Sequence, residues 1–228
     1  MASIEGKVGP GVSTDGSAPT ARLGKDNSVV TQDSHARFQE AAIRGNLYSG
    51  GMTVTSISAA TFTTATLGAT GTPILGVYNP AGSGKNLVIL QAKIQLLYTV
   101  LTMTPPGAFM WASSLGNGAV STGTTPFNLG TGVAAGSVAK DMCGVAMTGQ
   151  TNALVVRTAS GLGTMGTNIS TVQTAAGFQP YMPAMVDNVD GAIIVPPGGI
   201  LALLCTTTPV AISAASSITW EEVPLAVS

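Results

Sequence analysis

The stretch Asn86-Leu87-Val88-Ile89-Leu90-Gln91-Ala92-Lys93-Ile94-Gln95-Leu96-Leu97-Tyr98-Thr99-Val100 decides the fold class. Val88, Leu90, Ala92, Ile94, Leu96 and Tyr98 fall on one face, and Gln91, Lys93 and Gln95 on the other. A period of two marks a half-buried β-strand, because successive side chains of an extended chain point to opposite faces. On either side the same reading repeats. Residues 53–66 alternate and are rich in Thr and Val, and 153–157, 191–195, 200–206 and 217–223 are further candidate strands. Turn signals separate them: Asn79-Pro80-Ala81-Gly82-Ser83-Gly84, Thr104-Pro105-Pro106-Gly107, Gly116-Asn117-Gly118, residues 187–191 and Pro196-Pro197-Gly198-Gly199. Many short strands punctuated by Gly and Pro, with no alternating helices, predict an all-β fold, a jelly-roll-like β-sandwich. The region 116–177 is long and rich in Gly, Thr and Ala, and reads as loops, an inserted hairpin or extended segments lying on a partner.

Charge is distributed unevenly around this β body. Ten of the 19 formal charges lie in the first 44 residues, and the other 184 residues carry nine. Only 8% of the chain is charged, where a soluble domain is usually about one quarter charged. A surface so poor in charge has little repulsion to hold copies apart, which predicts a body packed against other copies or other proteins. Four Lys or Arg spread over residues 45–228 and a net charge of −1 exclude a basic nucleic-acid-binding patch. The apolar runs 87–101 and 192–205 are too short, and too interrupted by Lys93 and by Pro196-Pro197-Gly198-Gly199, to cross a membrane as helices. Residues 1–7 lack an apolar core, so no signal peptide is expected and a cytoplasmic site of synthesis is.

Residues 1–50 read as an N-terminal arm with one short helix at about 34–44, and 51–228 as the β body. The arm is rich in Gly, Ser, Pro and Asp and carries single apolar residues, Ile4, Val8, Val12, Leu23, Val29 and Val30, without a period. Ordering its first 33 residues costs on the order of 30–60 kcal/mol of backbone entropy. Offsetting this needs on the order of 1,000–2,500 Å² of apolar burial, which a neighbouring subunit supplies more readily than the arm's own domain. For the helix, Asp33 or Ser34 can act as N-cap, Gly45 stands where a C′ glycine belongs, Glu40 and Arg44 form an i,i+4 pair, and Phe38, Ala41 and Ala42 make a short apolar face. About ten residues are too few to be helical alone in water, so this segment must dock.

Chemistry has few candidates. Gly82-Ser83-Gly84-Lys85 is not a phosphate-binding loop: the first glycine of that motif would fall on Asn79, Asn86 follows the lysine, and a strand rather than a helix comes next. His35, the one histidine, lies in the arm, so no nucleophile–histidine constellation can be built on the body. Glu221 and Glu222 are adjacent on a strand and point to opposite faces. Residues 187–191 hint at a calcium loop, but Val189 occupies a position that needs an oxygen ligand, and a turn is the simpler reading; weak Ca²⁺ binding is left open. Cys143 and Cys205 form no disulfide framework, and Cys205 sits in an apolar run as a small buried hydrophobe; pairing between the two is left open. No cofactor or metal is expected, and no catalytic residue. Trp111 and Trp220 are core anchors by default, with a ligand-stacking or interface role open for Trp111, which follows the Pro105-Pro106-Gly107 turn.

Taken together, the segment Phe38-Gln39-Glu40-Ala41-Ala42-Ile43-Arg44-Gly45-Asn46-Leu47-Tyr48, the Asn79–Asn86 turn opening the long strand, Asp190-Gly191 ahead of Pro196-Pro197-Gly198-Gly199, and the closing Thr219-Trp220-Glu221-Glu222-Val223-Pro224 resemble small virion proteins of tailed bacteriophages. These are the jelly-roll proteins that decorate or cement capsids or form head fibres. The resemblance covers the arm helix and the strands but not 116–177. It implies a homotrimeric jelly roll on a capsid, in the virion, with the major capsid protein or other virion proteins as partners. On that expectation the arm and helix residues Ile4, Val8, Val12, Leu23, Val29, Val30, Phe38, Ile43 and Arg44 form the partner interface. The alternative is a head-fibre or tail receptor-binding protein that recognises host-surface carbohydrate through an exposed aromatic, Trp111 or Tyr181.

Overall fold

The strand that decides the fold class is Lys85–Leu97, flanked on both sides within a five-stranded antiparallel sheet. The structure is a computed structural model, and it describes residues 6–7, 21–22, 37–57, 62–63, 66–67, 70–97, 109–115, 123–145, 147–148, 154–159, 184–205 and 212–225. Ten strands build the two principal sheets. In chain order they are β1 (Leu47–Ile57), β2 (Leu75–Tyr78), β3 (Lys85–Leu97), β4 (Phe109–Ser114), β5 (Phe127–Asn128), β6 (Lys140–Asp141), β7 (Leu154–Thr158), β8 (Ala184–Val195), β9 (Ile200–Cys205) and β10 (Ile212–Pro224). Sheet I has the order β5-β1-β10-β3-β8 and sheet II the order β6-β2-β9-β4-β7, every pairing antiparallel. Three two-residue pairs lie outside these sheets: Gly6–Lys7 with Ala21–Arg22, Phe62–Thr63 with Thr66–Leu67, and Thr70–Gly71 with Met147–Thr148.

The chain is all-β, and its two sheets share one core. Leu87, Ile89, Ala92 and Ile94 of β3, Met185, Val189, Ile193 and Val195 of β8, and Ile218 and Trp220 of β10 pack in the same buried cluster as Val77, Trp111, Leu201 and Leu203 of sheet II. Tyr48 stacks on Trp220 with ring centroids 6.4 Å apart. Sheet II is buried on its other face as well. Ile200, Ala202 and Leu204 alternate with Leu201 and Leu203, and all five are buried. They join Tyr78, Ala112 and Met142 in a second cluster.

The predicted phase of β3 is correct only in its second half. Ala92 and Ile94 face the core, but so do Leu87 and Ile89, while Val88 is turned outward and half-buried. The cause is a bulge at Leu90: Thr219 pairs with Gln91 but Trp220 pairs with Ile89. One extra residue inverts the phase of a strand. Strand β8 answers on the other side, where Asn188 pairs with Gln91 and Ile193 with Ile89. Its excess is absorbed at Asp190 and Gly191, with φ of 52° and 83°. The predicted turn at 187–191 is therefore a bulge inside one continuous strand, and β8 begins at Ala184, earlier than the expected 191.

The Gly/Thr/Ala-rich middle is part of the body through residues 123–145. Phe127–Asn128 pairs with Tyr48 and Ser49 at the edge of sheet I, and Lys140–Asp141 with Val77 and Tyr78 at the edge of sheet II. One excursion thus supplies an edge strand to each sheet. Gly50 and Gly51 of β1 permit this closeness. A Cβ on Gly50 would lie 2.6 Å from the Asp141 carboxyl carbon, and one on Gly51 would collide with the Ser216 carbonyl of β10.

Contacts divide the chain into Met1–Glu40 and Ala41–Ser228. Leu47 already opens a strand of sheet I. Helix α1 spans Gln39–Ile43, shorter than the expected 34–44, and the proposed N-cap residues lie outside the described residues. Its end is as expected. Gly45 has φ 71°, its N–H donates to the Ala42 carbonyl (3.0 Å), and the Asn46 N–H donates to the Ala41 carbonyl (2.9 Å). That pair of bonds is a Schellman cap, which needs a left-handed residue at C′.

Candidate interaction surfaces and buried carboxylates

Glu222 shows what the body does with its few charges. It follows Glu221 on β10, and the two side chains point to opposite faces, Glu222 fully buried and Glu221 partly exposed. The Lys85 ammonium lies 2.9 Å from Glu222 Oε2. Oε1 accepts hydrogen bonds from Ser137 Oγ (2.6 Å), the Val138 N–H (2.9 Å) and the Ala139 N–H (3.4 Å). A carboxylate with one cation and three donors is a structural pin that fastens segment 137–139 to sheet I.

Asp187 is a second pin. Its Oδ1 lies 2.7 Å from Arg157 Nη2, and its Oδ2 accepts the indole N–H of Trp111 at 2.7 Å. The three residues come from β8, β7 and β4, so the trio ties the edge of sheet I to sheet II across the core. Both Asp187 oxygens are occupied by donors, so the calcium reading of 187–191 loses its first ligand. Among the described residues no three His, Cys, Asp or Glu side chains lie together in a way that would hold a metal ion.

Asp141 is the third. Oδ2 accepts the Gly51 N–H (2.9 Å) and the Thr124 hydroxyl (3.3 Å), and Oδ1 accepts the Cys143 N–H (2.9 Å). Cys143 beside it is a free, buried thiol, so no Cys143–Cys205 disulfide forms here. Burial, and then the negative charge and hydrogen bond of Asp141, hold its pKa well above the 9.0 of an exposed thiol. As pH rises the unfolded thiol therefore ionises first, so this group leaves stability untouched below pH 9.0 and lowers it above. Iodoacetamide is expected to alkylate Cys143 only once the body unfolds in urea, as read by peptide mass spectrometry. Equal rates in native and unfolded protein would contradict this burial.

Of the nine body charges, Asp141, Asp187 and Glu222 are buried, and the partly exposed Lys85 and Arg157 reach in to pair with two of them. Lys93, Lys140, Asp190 and Glu221 remain to face outward. The outer face of sheet I follows from the alternation. Ser49 on β1, Ser217, Thr219 and Glu221 on β10, Val88, Gln91 and Lys93 on β3, and Val186, Asn188 and Ile194 on β8 all point away from the core. Val186 and Ile194 are 50% and 54% exposed.

The residues named from sequence fall as follows. Ile4, Val8, Val12, Leu23, Val29, Val30, His35 and Tyr181 lie outside the described residues. Phe38 is half-buried with the Arg37 guanidinium carbon 5.3 Å from its ring centroid. Ile43 is 68% exposed, and Arg44 is exposed. Sequence reasoning did not single out the exposed Phe127, Leu129 and Val133, which sit where the 127–133 loop bonds back to Leu47 and Gly45. Trp111 is a core anchor, its default reading, and the ligand role left open for it is corrected: it is 0% exposed, packed between the sheets and hydrogen-bonded to Asp187, so it offers no face to a sugar. The Asn79–Lys85 segment is a turn between β2 and β3, as expected. The Asn79 side-chain amide donates to the carbonyls of Lys85 (2.8 Å) and Val195 (2.9 Å), and Gly82 and Gly84 have φ of 78° and 70°. No helix among the described residues is long and apolar enough to cross a membrane. No protein-family model, curated protein or solved structure matches the chain.

Proposed function

We propose that this chain is a non-enzymatic structural protein of a bacteriophage virion, a self-associating capsid decoration or cement protein. The observation that carries the reading is the disposition of charge. Three of the nine body charges, Asp141, Asp187 and Glu222, are buried, and Lys85 and Arg157 are drawn in to pair with two of them, leaving a broad sheet I face whose central strands carry only Lys93 and Glu221 among uncharged side chains. Such a face fits permanent packing against protein better than a life free in solution. Strand order supports the jelly-roll form of the fold. Counted in chain order without the two short edge strands, the sheets read 1-8-3-6 and 2-7-4-5. That is the order produced when a long antiparallel hairpin, with strands paired 1–8, 2–7, 3–6 and 4–5, folds over on itself. The resemblance of the strand-opening and closing segments to phage decoration proteins supplies the virion and the trimer. The segment 1–44, with Phe38, Ile43 and Arg44 at its end, is the part that grips the shell.

Light scattering after size exclusion tests this on the full chain. The expected mass is about 68 kDa, three times 22.7 kDa. A monomer at all accessible concentrations would remove self-association from the reading and with it the main support for a virion role.

A further inference from the structure

We infer that the outer face of sheet I is a twofold contact surface for the same face of a second copy, with Lys93 of each copy set against Glu221 of the other. The inference rests on the self-association reading above and specifies where one contact lies.

The two central strands, β10 and β3, carry two outward charges on this face, Lys93 and Glu221, of opposite sign. Among the described residues neither has an ion-pair partner within the chain. Their placement is antisymmetric. Lys93 stands opposite Ser217 in the register, two residues before Thr219, and Glu221 stands two residues after it. The charges are therefore separated by four residues along the strands, about 13 Å. A twofold axis lying in the contact plane, crossing the strands at Thr219 and Gln91, carries the Lys93 end of one copy onto the Glu221 end of the other. Both ion pairs then form at once. Turning the second copy about an axis along the strands instead sets Lys93 near Lys93 and Glu221 near Glu221, so charge selects one of the two arrangements. Asp190, near the midline at the β8 edge, meets its own copy across the same axis, a like-charge contact at the solvent-exposed margin set against two ion pairs on the central strands.

Area is sufficient. Four strands at about 4.8 Å spacing and about 33 Å of length present on the order of 600 Å² per copy, or about 1,200 Å² in total, the lower bound of a specific interface. Ser49, Ser217, Thr219 and Gln91 are short or flat enough for close approach, while Val186 and Ile194 add apolar contact at the margin.

The test is charge exchange in the full chain, read by sedimentation velocity over a range of concentrations. A twofold contact doubles the mass of whatever unit exists without it. Wild type is expected to show such a doubling step. Lys93→Glu and Glu221→Lys are each expected to weaken it by about tenfold or more, since each substitution acts twice in the pair. The double variant Lys93→Glu/Glu221→Lys is expected to restore it to within about threefold, because the exchanged charges again oppose. Slow alkylation of Cys143 serves as the check that each variant is folded. If the single variants associate like wild type, or the double variant fails to recover, this contact is wrong. A fixed mass of about 68 kDa with no doubling would overturn the contact while leaving the proposed function in place. Doubling from 22.7 kDa, sensitive to the swaps, would support the contact and overturn the trimer.

Discussion

Glu222→Ala is expected to destabilise the body by about 3–5 kcal/mol, the cost of removing one partner of a buried ion pair. In a body of this size that lowers the unfolding temperature by on the order of 10 °C. The argument is one of accounting for polar groups. The substitution strands the Lys85 ammonium and three donors, Ser137 Oγ and the N–H groups of Val138 and Ala139, of which Ala139 is buried and the others partly exposed. Lys85 is partly exposed and can turn to solvent, which places the loss toward the lower end of the range. Glu222→Gln keeps the shape and an acceptor oxygen but loses the charge, and is expected to cost about half as much. Urea denaturation of both variants decides it. A loss below about 1 kcal/mol for the alanine variant would mean that segment 137–139 does not depend on this carboxylate.

Trp111→Ala is expected to cost about 4–5 kcal/mol, at the upper end of large-to-small core substitutions. It opens a cavity between the sheets and removes the indole N–H from Asp187, leaving that carboxylate to Arg157. Trp111→Phe refills most of the volume without the N–H, and about 2 kcal/mol is expected. The pair of variants also separates two ideas about this residue. A tryptophan serving as a sugar platform would lose ligand binding on truncation while the fold kept its stability. A tryptophan clamped between two sheets loses the fold first. Equilibrium unfolding followed by far-UV circular dichroism distinguishes them. Unchanged stability in Trp111→Ala would contradict the clamped geometry.

The ease with which different parts of this fold were read from sequence follows from how many faces each strand buries. Strand β10 and the second half of β3 have one face in the core and one outside, and alternation revealed them. Strands β2 and β4 escaped because both their faces are covered: Leu75–Tyr78 is buried at every position, and Phe109–Ser114 nearly so. A strand with no exposed face has no period to find, and β9, buried on both faces, was legible only as an apolar run behind Pro196-Pro197-Gly198-Gly199. The glycine cap at Gly45 and the turn from Asn79 to Lys85 were legible because each rests on a local backbone rule that needs no distant partner. Trp111 could be placed only by default, since what holds it, Asp187, is 76 residues away in sequence.

By itself, the sequence determined that this is an all-β chain of low charge with a glycine-capped helix ahead of the first strand, because composition, period two and left-handed turns act within a few residues of one another. The tertiary structure decided the rest. It set the phase of β3, inverted by a bulge that its neighbours must match. It closed both sheets with edge strands drawn from one excursion. It also selected which charges would be spent inside and which two would be left facing out on the central strands of sheet I. Each of these depends on residues tens of positions apart meeting at hydrogen-bond distance, and no local pattern in the chain records which of them will meet.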